Sequence, residues 1–276
     1  MNLAFYPGCS LQGVARDYSG SIYAVFRHLG FDLTELADWF CCGASAAHSL
    51  DEDLALALPA GNLFLAEKAG RDIVVPCAMC FNRLSHARHI LGQEPVHLPW
   101  PVKGQAQVHD MTRLLSQPET LARIQSLVKR PLKGLRVVCY YGCQMVRPPR
   151  ITGFADYENP QTLDLLARAT GADVRDWSYK ATCCGASIGV SRPEVGNALC
   201  LRLVDKARQA GAEAFVVSCP LCQMNLDKLG IEAPSQAMPV FYITELLELA
   251  LNGRTEPGRF RMHLTDPGAL LRGRGF

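Results

Sequence analysis

The sequence predicts an α/β protein made of two similar halves, each a set of βαβ units around a parallel sheet. Three observations lead there. Apolar runs that read as strands alternate with helical patterns along the chain. The order of these segments in the first half recurs in the second. Ten of the twelve cysteines also fall into two copies of one pattern with shared spacing. Alternating strands and helices pair in parallel through right-handed crossovers, which gives a Rossmann-like layering.

The elements follow in order. Leu3-Ala4-Phe5-Tyr6-Pro7-Gly8-Cys9 reads as a buried strand that delivers a cysteine at its carboxyl end. Arg136-Val137-Val138-Cys139-Tyr140-Tyr141-Gly142-Cys143 is its counterpart. Helices are expected around Tyr18 to Leu29 and Thr162 to Ala169, each ended by a glycine, Gly30 or Gly171. Cys-Cys-Gly-Ala-Ser then stands at Cys41 to Ser45 and again at Cys183 to Ser187. Longer helices are expected over Leu54 to Ala69 and Pro193 to Ala210. Second strands, Asp72-Ile73-Val74-Val75 and Ala214-Phe215-Val216-Val217, run into Cys77 and Cys219. Each half closes on a Pro-Val-led strand and a helix, within Pro95 to Leu115 and Pro239 to Leu251.

These patterns divide the chain into a first domain at 1–126 and a second at 135–252, joined by a polar linker at 127–134. The tail at 253–276 is rich in Gly, Pro and Arg and reads as extended, an arm for a partner. Hydrophobic residues make up 49% of the chain, enough for a substantial core. The net charge is +2, from 28 basic and 26 acidic side chains, which offers no electrostatic reason for nucleic acid or an anionic membrane. No apolar stretch is long enough to span a bilayer, and Met1 to Cys9 lacks the form of a signal peptide. A cytoplasmic location is therefore expected, where thiols stay reduced and clustered cysteines read as metal or redox chemistry.

The first cysteine set is Cys9, Cys41, Cys42, Cys77 and Cys80; the second is Cys143, Cys183, Cys184, Cys219 and Cys222. In both, 34 residues separate the vicinal pair from a closing Cys-x-x-Cys. Thiolates hold iron–sulfur clusters, and Cys-x-x-Cys brings two of them to one site. A cubane or a zinc ion takes four ligands, whereas each set offers five. Neighbouring side chains on a strand diverge, so each vicinal pair can serve one site only if the chain turns sharply. Gly43 and Gly185 permit that turn. The residues favour iron–sulfur clusters other than a plain cubane over the alternatives, structural zinc or a thiol relay.

The order Cys, Cys-Cys-Gly, Cys-x-x-Cys resembles the CCG motif of the B-type subunits of heterodisulfide reductase and their relatives, over nearly the whole chain and in both copies. Tyr140-Tyr141-Gly142-Cys143, then Arg147-Pro148, and Cys219-Pro220-Leu221-Cys222 look like that family's second motif. The resemblance implies two pseudo-twofold-related CCG domains. It implies two noncubane 4Fe-4S clusters ligated by the ten cysteines, with chemistry centred on clusters held by the vicinal pairs Cys41-Cys42 and Cys183-Cys184. It implies disulfide or sulfane bonds as the substrate, cleaved or formed between the two clusters. Gln144 stands where methanogenic members often have histidine, which leaves the ligands intact and opens the question of substrate. Similar subunits in bacterial sulfur oxidation act on a sulfur-loaded carrier, such as a lipoate-binding protein.

The chain has no ferredoxin-type cysteine run and no Gly-x-Gly-x-x-Gly fingerprint, so electrons must come from partners. The resemblance implies two of them, a ferredoxin-like C-type subunit and a flavoprotein A-type subunit. The competing reading is an electron-transfer CCG subunit of a lactate-, glycolate- or succinate-type dehydrogenase. A non-enzymatic metal scaffold is the third.

Other residues carry weaker expectations. Cys139 and Cys200 lie outside the pattern and read as buried structural thiols. His48, His86 and His89 are candidate proton donors, weighed against a solvated helix face. Lys180 is a candidate thiolate stabiliser, weighed against a surface lysine. Trp39, Phe40 and Trp177 are candidate shields for the clusters, weighed against plain core packing.

Overall fold

The structure, a computed structural model, describes residues 3–44, 47–93 and 96–276, and of His48 only the backbone. Ser45 and Pro95 therefore lie outside the described residues.

The first half runs β1 (Leu3–Phe5), α1 (Cys9–Gln12), α2 (Arg16–His28), β2 (Thr34–Glu35), α3 (Ala47–Leu50) and α4 (Glu52–Lys68). It continues with β3 (Asp72–Val75), α5 (Ala78–Leu91), β4 (Val108–Asp110), α6 (Met111–Leu115) and α7 (Pro118–Leu127). The second half runs β5 (Arg136–Cys139), α8 (Cys143–Val146), α9 (Pro149–Thr152), α10 (Thr162–Ala169), β6 (Asp173–Val174) and α11 (Pro193–Gln209). It closes with β7 (Ala214–Val217), α12 (Pro220–Asp227), α13 (Leu229–Glu232), β8 (Val240–Tyr242), α14 (Ile243–Asn252) and α15 (Pro267–Gly273).

The two sheets are built alike, β2-β1-β3-β4 and β6-β5-β7-β8, with every pair parallel. The expected α/β fold with repeated parallel sheets is what the chain adopts. Their central strands are the apolar runs that precede the cysteines, and Ile73, Val74, Val137 and Phe215 are fully buried. Strands buried on both faces read as unbroken apolar runs, as these do.

The halves pack crosswise. Helix α2 lies against α14, and α10 lies against α6 and α7, so an early helix of each half meets the closing helices of the other. Ser21 and Thr244 share a buried hydrogen bond of 2.6 Å across one contact. Thr112 and Thr162 share one of 3.0 Å across the other. Between them Tyr18 and Tyr242 stack with centroids 3.8 Å apart.

Two expectations need correction. The Pro-Val-led strand of the first half does not form at Val96; the strand is β4, which pairs with β3 from Val108 onward. Pro99 and Pro101 have no N–H to give a ladder, so this stretch instead packs as a loop against α4. Glu67 receives the amides of Lys103 and Gln105 there, and Trp100 stacks on Phe40. The tail is not an extended arm. It folds back onto its own chain and ends in α15. Arg259 pairs with Glu248 at 2.6 Å, His263 meets Glu245 at 2.9 Å, and Asp227 accepts the amides of Leu264 and Thr265. Cationic groups of the tail find buried or half-buried carboxylates on the second half, which offsets the ordering cost of a Gly- and Pro-rich segment.

Candidate metal centre

Each cysteine is delivered by a strand end, a glycine turn or a helix start. Gly8 and Gly142 adopt φ of +71° and +70° and begin the short helices that carry Cys9 and Cys143. Cys77 and Cys219 are the N-caps of α5 and α12, with Cys80 and Cys222 in the first turns. The Cys-x-x-Cys segments are thus strand-to-helix junctions rather than free turns. Helix N-termini favour negative charge, so they suit thiolates. Gly43 and Gly185 take φ of +75° and +83°, which supplies the sharp turn after each vicinal pair. Their amides point back to sulfur, Gly43 N to Cys41 Sγ at 3.4 Å and Gly185 N to Cys183 Sγ at 3.3 Å.

The thiols form a string. Cys9 interacts with Cys41, Cys41 with Cys42, and Cys42 Sγ lies 3.3 Å from Cys80 Sγ. Cys80 interacts with Cys77, and Cys77 meets Cys219 from the other half. Cys219 continues to Cys222 and Cys222 to Cys184, while Cys183 interacts with Cys143. All ten predicted thiols are therefore brought to one region, and the two sets touch at Cys77 and Cys219. Cys9 at one end of the string and Cys183 next to the other are exposed, Cys41 and Cys143 are half-buried, and Cys42, Cys77, Cys80, Cys184, Cys219 and Cys222 are buried.

Mutual hydrogen bonding and burial split the thiol acidities. Hydrogen bonds from Cys42 and Cys9 pull Cys41 down. A hydrogen bond from Cys143 and the Gly185 amide bring Cys183 to about 6, against burial. Bonds to Cys42 and Cys77, reinforced by burial, push Cys80 well up. Bonds to Cys184 and Cys219 do the same to Cys222. Only some of these crowded sulfurs can ionise together without a cation.

The donor set could hold an iron–sulfur group. Every candidate ligand is a thiol, five come from each half, and backbone amides point at sulfur. The backbone leaves room for those sulfurs: a Cβ on Gly8 would stand 2.9 Å from Cys80 Sγ, and one on Gly142 would stand 2.8 Å from Cys222 Sγ. Among the described residues no three His, Cys, Asp or Glu side chains gather as a ready site for one metal ion.

Sequence reasoning missed a duplicated pair of tyrosines. Tyr6 donates to the Phe40 carbonyl at 2.8 Å and Tyr140 to the Thr182 carbonyl at 2.6 Å. Both acceptors immediately precede a vicinal pair, so each tyrosine pins one Cys-Cys turn. Their common place, three residues before Cys9 and Cys143, was a readable signal. Tyr18 also went unread: its hydroxyl bonds the Ser218 carbonyl at 2.7 Å and reaches that of Pro76 at 3.4 Å, the residues before Cys219 and Cys77. Asn82 joins the halves by donating to the carbonyls of Gln144 and Arg147.

The secondary candidates fare unevenly. Lys180 is neither on the surface nor against the thiols of the second set. It is buried and paired with Asp164 at 2.9 Å, which also accepts from Tyr141 at 2.7 Å. The Lys180 carbonyl in turn receives the amides of Tyr141 and Gly142, bracing the turn before Cys143. His86 and His89 lie further along α5, partly buried and outside the thiol string. Trp177 is buried and donates to the Cys139 carbonyl at 2.9 Å, and Trp39, partly exposed, packs edge-on against Tyr6. Cys139 and Cys200 are fully buried; Cys200 contacts the Cys184 carbonyl and Asn225, and so lies behind the second vicinal pair.

The cysteine-rich domain CCG profile matches residues 3–85 and 137–227, more than half of the chain. The chain belongs to the CCG cysteine-rich domain family. Among curated CCG relatives, the chain is 32% identical over 259 residues to the 8-methylmenaquinol:fumarate reductase membrane anchor subunit of Wolinella succinogenes, covering 90% of this chain and 91% of that one. It is 28% identical over 267 residues to the B subunit of a ferredoxin/F420H2-dependent CoB-CoM heterodisulfide reductase from Methanosarcina acetivorans, covering 90% and 89%. The fold of this CCG chain also matches a hypothetical protein from Helicobacter pylori with a TM-score of 0.71 at 12% identity, covering 96% of this chain and 52% of that structure. The chain thus spans about half the length of that structure. The named relatives are subunits of redox complexes, and the family with its cysteine pattern points to iron–sulfur clusters and electron transfer. Among the described residues no helix is long and apolar enough to cross a membrane.

Proposed function

We propose that this CCG chain is an iron–sulfur subunit of a heterodisulfide reductase-like complex, acting on disulfide or sulfane bonds at two noncubane 4Fe-4S clusters. The first is held by Cys9, Cys41, Cys42, Cys77 and Cys80, the second by Cys143, Cys183, Cys184, Cys219 and Cys222. The observation that carries the reading is the string of ten thiols, continuous across the two halves at Cys77 and Cys219 and open to solvent at Cys9 and Cys183.

Bound clusters would supply single-electron storage and iron sites for sulfur. Cleavage of a disulfide takes two electrons and two protons and yields two thiols, so two coupled centres match its stoichiometry. The chain's own residues set the frame. Tyr6 and Tyr140 fix the Cys-Cys turns, the Gly43 and Gly185 amides stabilise charge on sulfur, and Tyr18 ties the two inner cysteine loops together. Burial of the inner thiols excludes water where the halves meet, while the outer thiols stay reachable. Val190 is 93% exposed a few residues beyond Cys183, on a face that a partner protein would cover. A ferredoxin-like C-type subunit and a flavoprotein A-type subunit are the partners in this reading, the substrate is a disulfide or a sulfur-loaded carrier, and the location is cytoplasmic.

A second reading rests on the fumarate reductase relative at 32% identity. There the chain passes electrons in a quinol-linked or dehydrogenase complex and binds no disulfide.

One experiment separates the two. The anaerobic protein is oxidised mildly and examined by EPR with and without added thiol. A new or shifted signal that requires thiol is the expected result. An unaltered spectrum, together with reoxidation of the reduced protein by fumarate through a co-purified flavoprotein, would replace the first reading with the second.

A further inference from the structure

A cavity of about 270 Å³ opens where α5, α6 and α9 meet. Its lining includes Arg88 and His89 from α5, Arg113 from α6 and Arg150 from α9, and no Asp or Glu. Among the described residues none of these three guanidinium groups makes a salt bridge. In a chain of net charge +2 this is a local concentration of unpaired cations. Like charges held together repel, and a bound anion removes that cost.

The arginines are not loose surface groups. Arg113 is clamped, donating to the Thr152 carbonyl at 3.0 Å and lying 5.0 Å over the Phe154 ring. Arg88 keeps its Nε buried and without a hydrogen-bond partner, so among the described residues neighbouring groups do not tie up its guanidinium at that atom. Arg150 is exposed, at the mouth. Asp110 acts on Arg113 electrostatically but does not line the cavity; its Oδ2 accepts from the Thr112 hydroxyl at 2.6 Å and the Arg113 amide at 2.8 Å, while its Oδ1 is buried without a hydrogen-bond partner.

Planar guanidinium forks match tetrahedral oxyanions through paired, charge-assisted hydrogen bonds. We propose that this pocket binds a phosphate group, either free or carried as a monoester. Arg88 stands eight residues beyond Cys80 on α5, about 12 Å along the helix axis. The pocket does not require the clusters and stands apart from the assignment of the metal centre.

The test is calorimetric titration of the full-length protein, purified anaerobically with its metal, in chloride buffer at constant ionic strength. Inorganic phosphate and glycerol 3-phosphate are the probes. One saturable site per chain is expected, and Arg88→Met and Arg150→Ala should each weaken it by about tenfold or more. Arg150, being exposed, is the replacement that leaves folding untouched. Tighter binding of glycerol 3-phosphate than of phosphate would identify a phosphorylated ligand; equal binding would identify the free anion. No saturable binding of either probe, or the same affinity in both variants, would overturn the proposal whatever the iron content proves to be.

Discussion

Replacing Lys180 with alanine is expected to lower the thermal midpoint by on the order of 10 °C. Lys180 and Asp164 form an ion pair with side chains 3% and 0% exposed. Without Lys180 the buried carboxylate keeps Arg168, 3.9 Å away and exposed to solvent, as its remaining cation, and breaking such a buried pair costs about 3–5 kcal/mol. In domains somewhat smaller than this chain, each kcal/mol moves the midpoint by about 2–4 °C. The Tyr141 hydroxyl donates to the same carboxylate, and the Lys180 carbonyl braces Gly142. Loosening should therefore reach the turn before Cys143 first. A paired replacement, Lys180→Met with Asp164→Leu, should recover most of the loss, because apolar pairs of similar volume often replace buried ion pairs at little cost. Differential scanning calorimetry of the single and double variants checks this. A single variant within about 2 °C of the parent would mean that the pair makes no net contribution.

Gly142→Ala is expected to remove about half of the bound iron. Two costs combine at this position. Gly142 holds φ +70° and ψ 169°, a combination essentially confined to glycine, so a side chain there costs about 1–3 kcal/mol. The new Cβ would also stand 2.8 Å from Cys222 Sγ, inside van der Waals contact. The sulfur must move, and with it one corner of the proposed second ligand set. Gly134→Ala is the control for a positive φ without crowding, since Gly134 has φ +84° with nothing within 4 Å of the added carbon. Iron analysis of both variants separates the causes. Full iron in Gly142→Ala, or equal loss in Gly134→Ala, would detach the Gly142 turn from metal binding.

Much of this arrangement was readable in the chain because local rules coincide there. The strands ahead of Cys9, Cys77, Cys143 and Cys219 are apolar runs that stop at Pro7-Gly8, Pro76, Gly142 and Ser218, and the repeat marks them twice. The positive φ at Gly43 and Gly185 followed from the need to turn a vicinal pair. What escaped depends on contacts between distant residues. Lys180 looks like any surface lysine until Asp164 arrives from α10. The three arginines of the cationic pocket come from positions 88, 113 and 150, and no window of sequence joins them. The tail looks extended by composition, and its carboxylate partners lie far from it along the chain, Glu213, Glu245 and Glu248 in the second half and Asp17 in the first. The closing strand of the first half reads too early because Pro95-Val96 mimics Pro239-Val240, while Pro99 and Pro101 withhold the amides a ladder needs.

Iron and acid-labile sulfide, counted per chain in anaerobically purified protein alongside zinc, test the central claim most directly. Two clusters predict about eight irons and a comparable amount of sulfide, with no zinc. Zinc in place of iron, with no labile sulfide, would contradict the account.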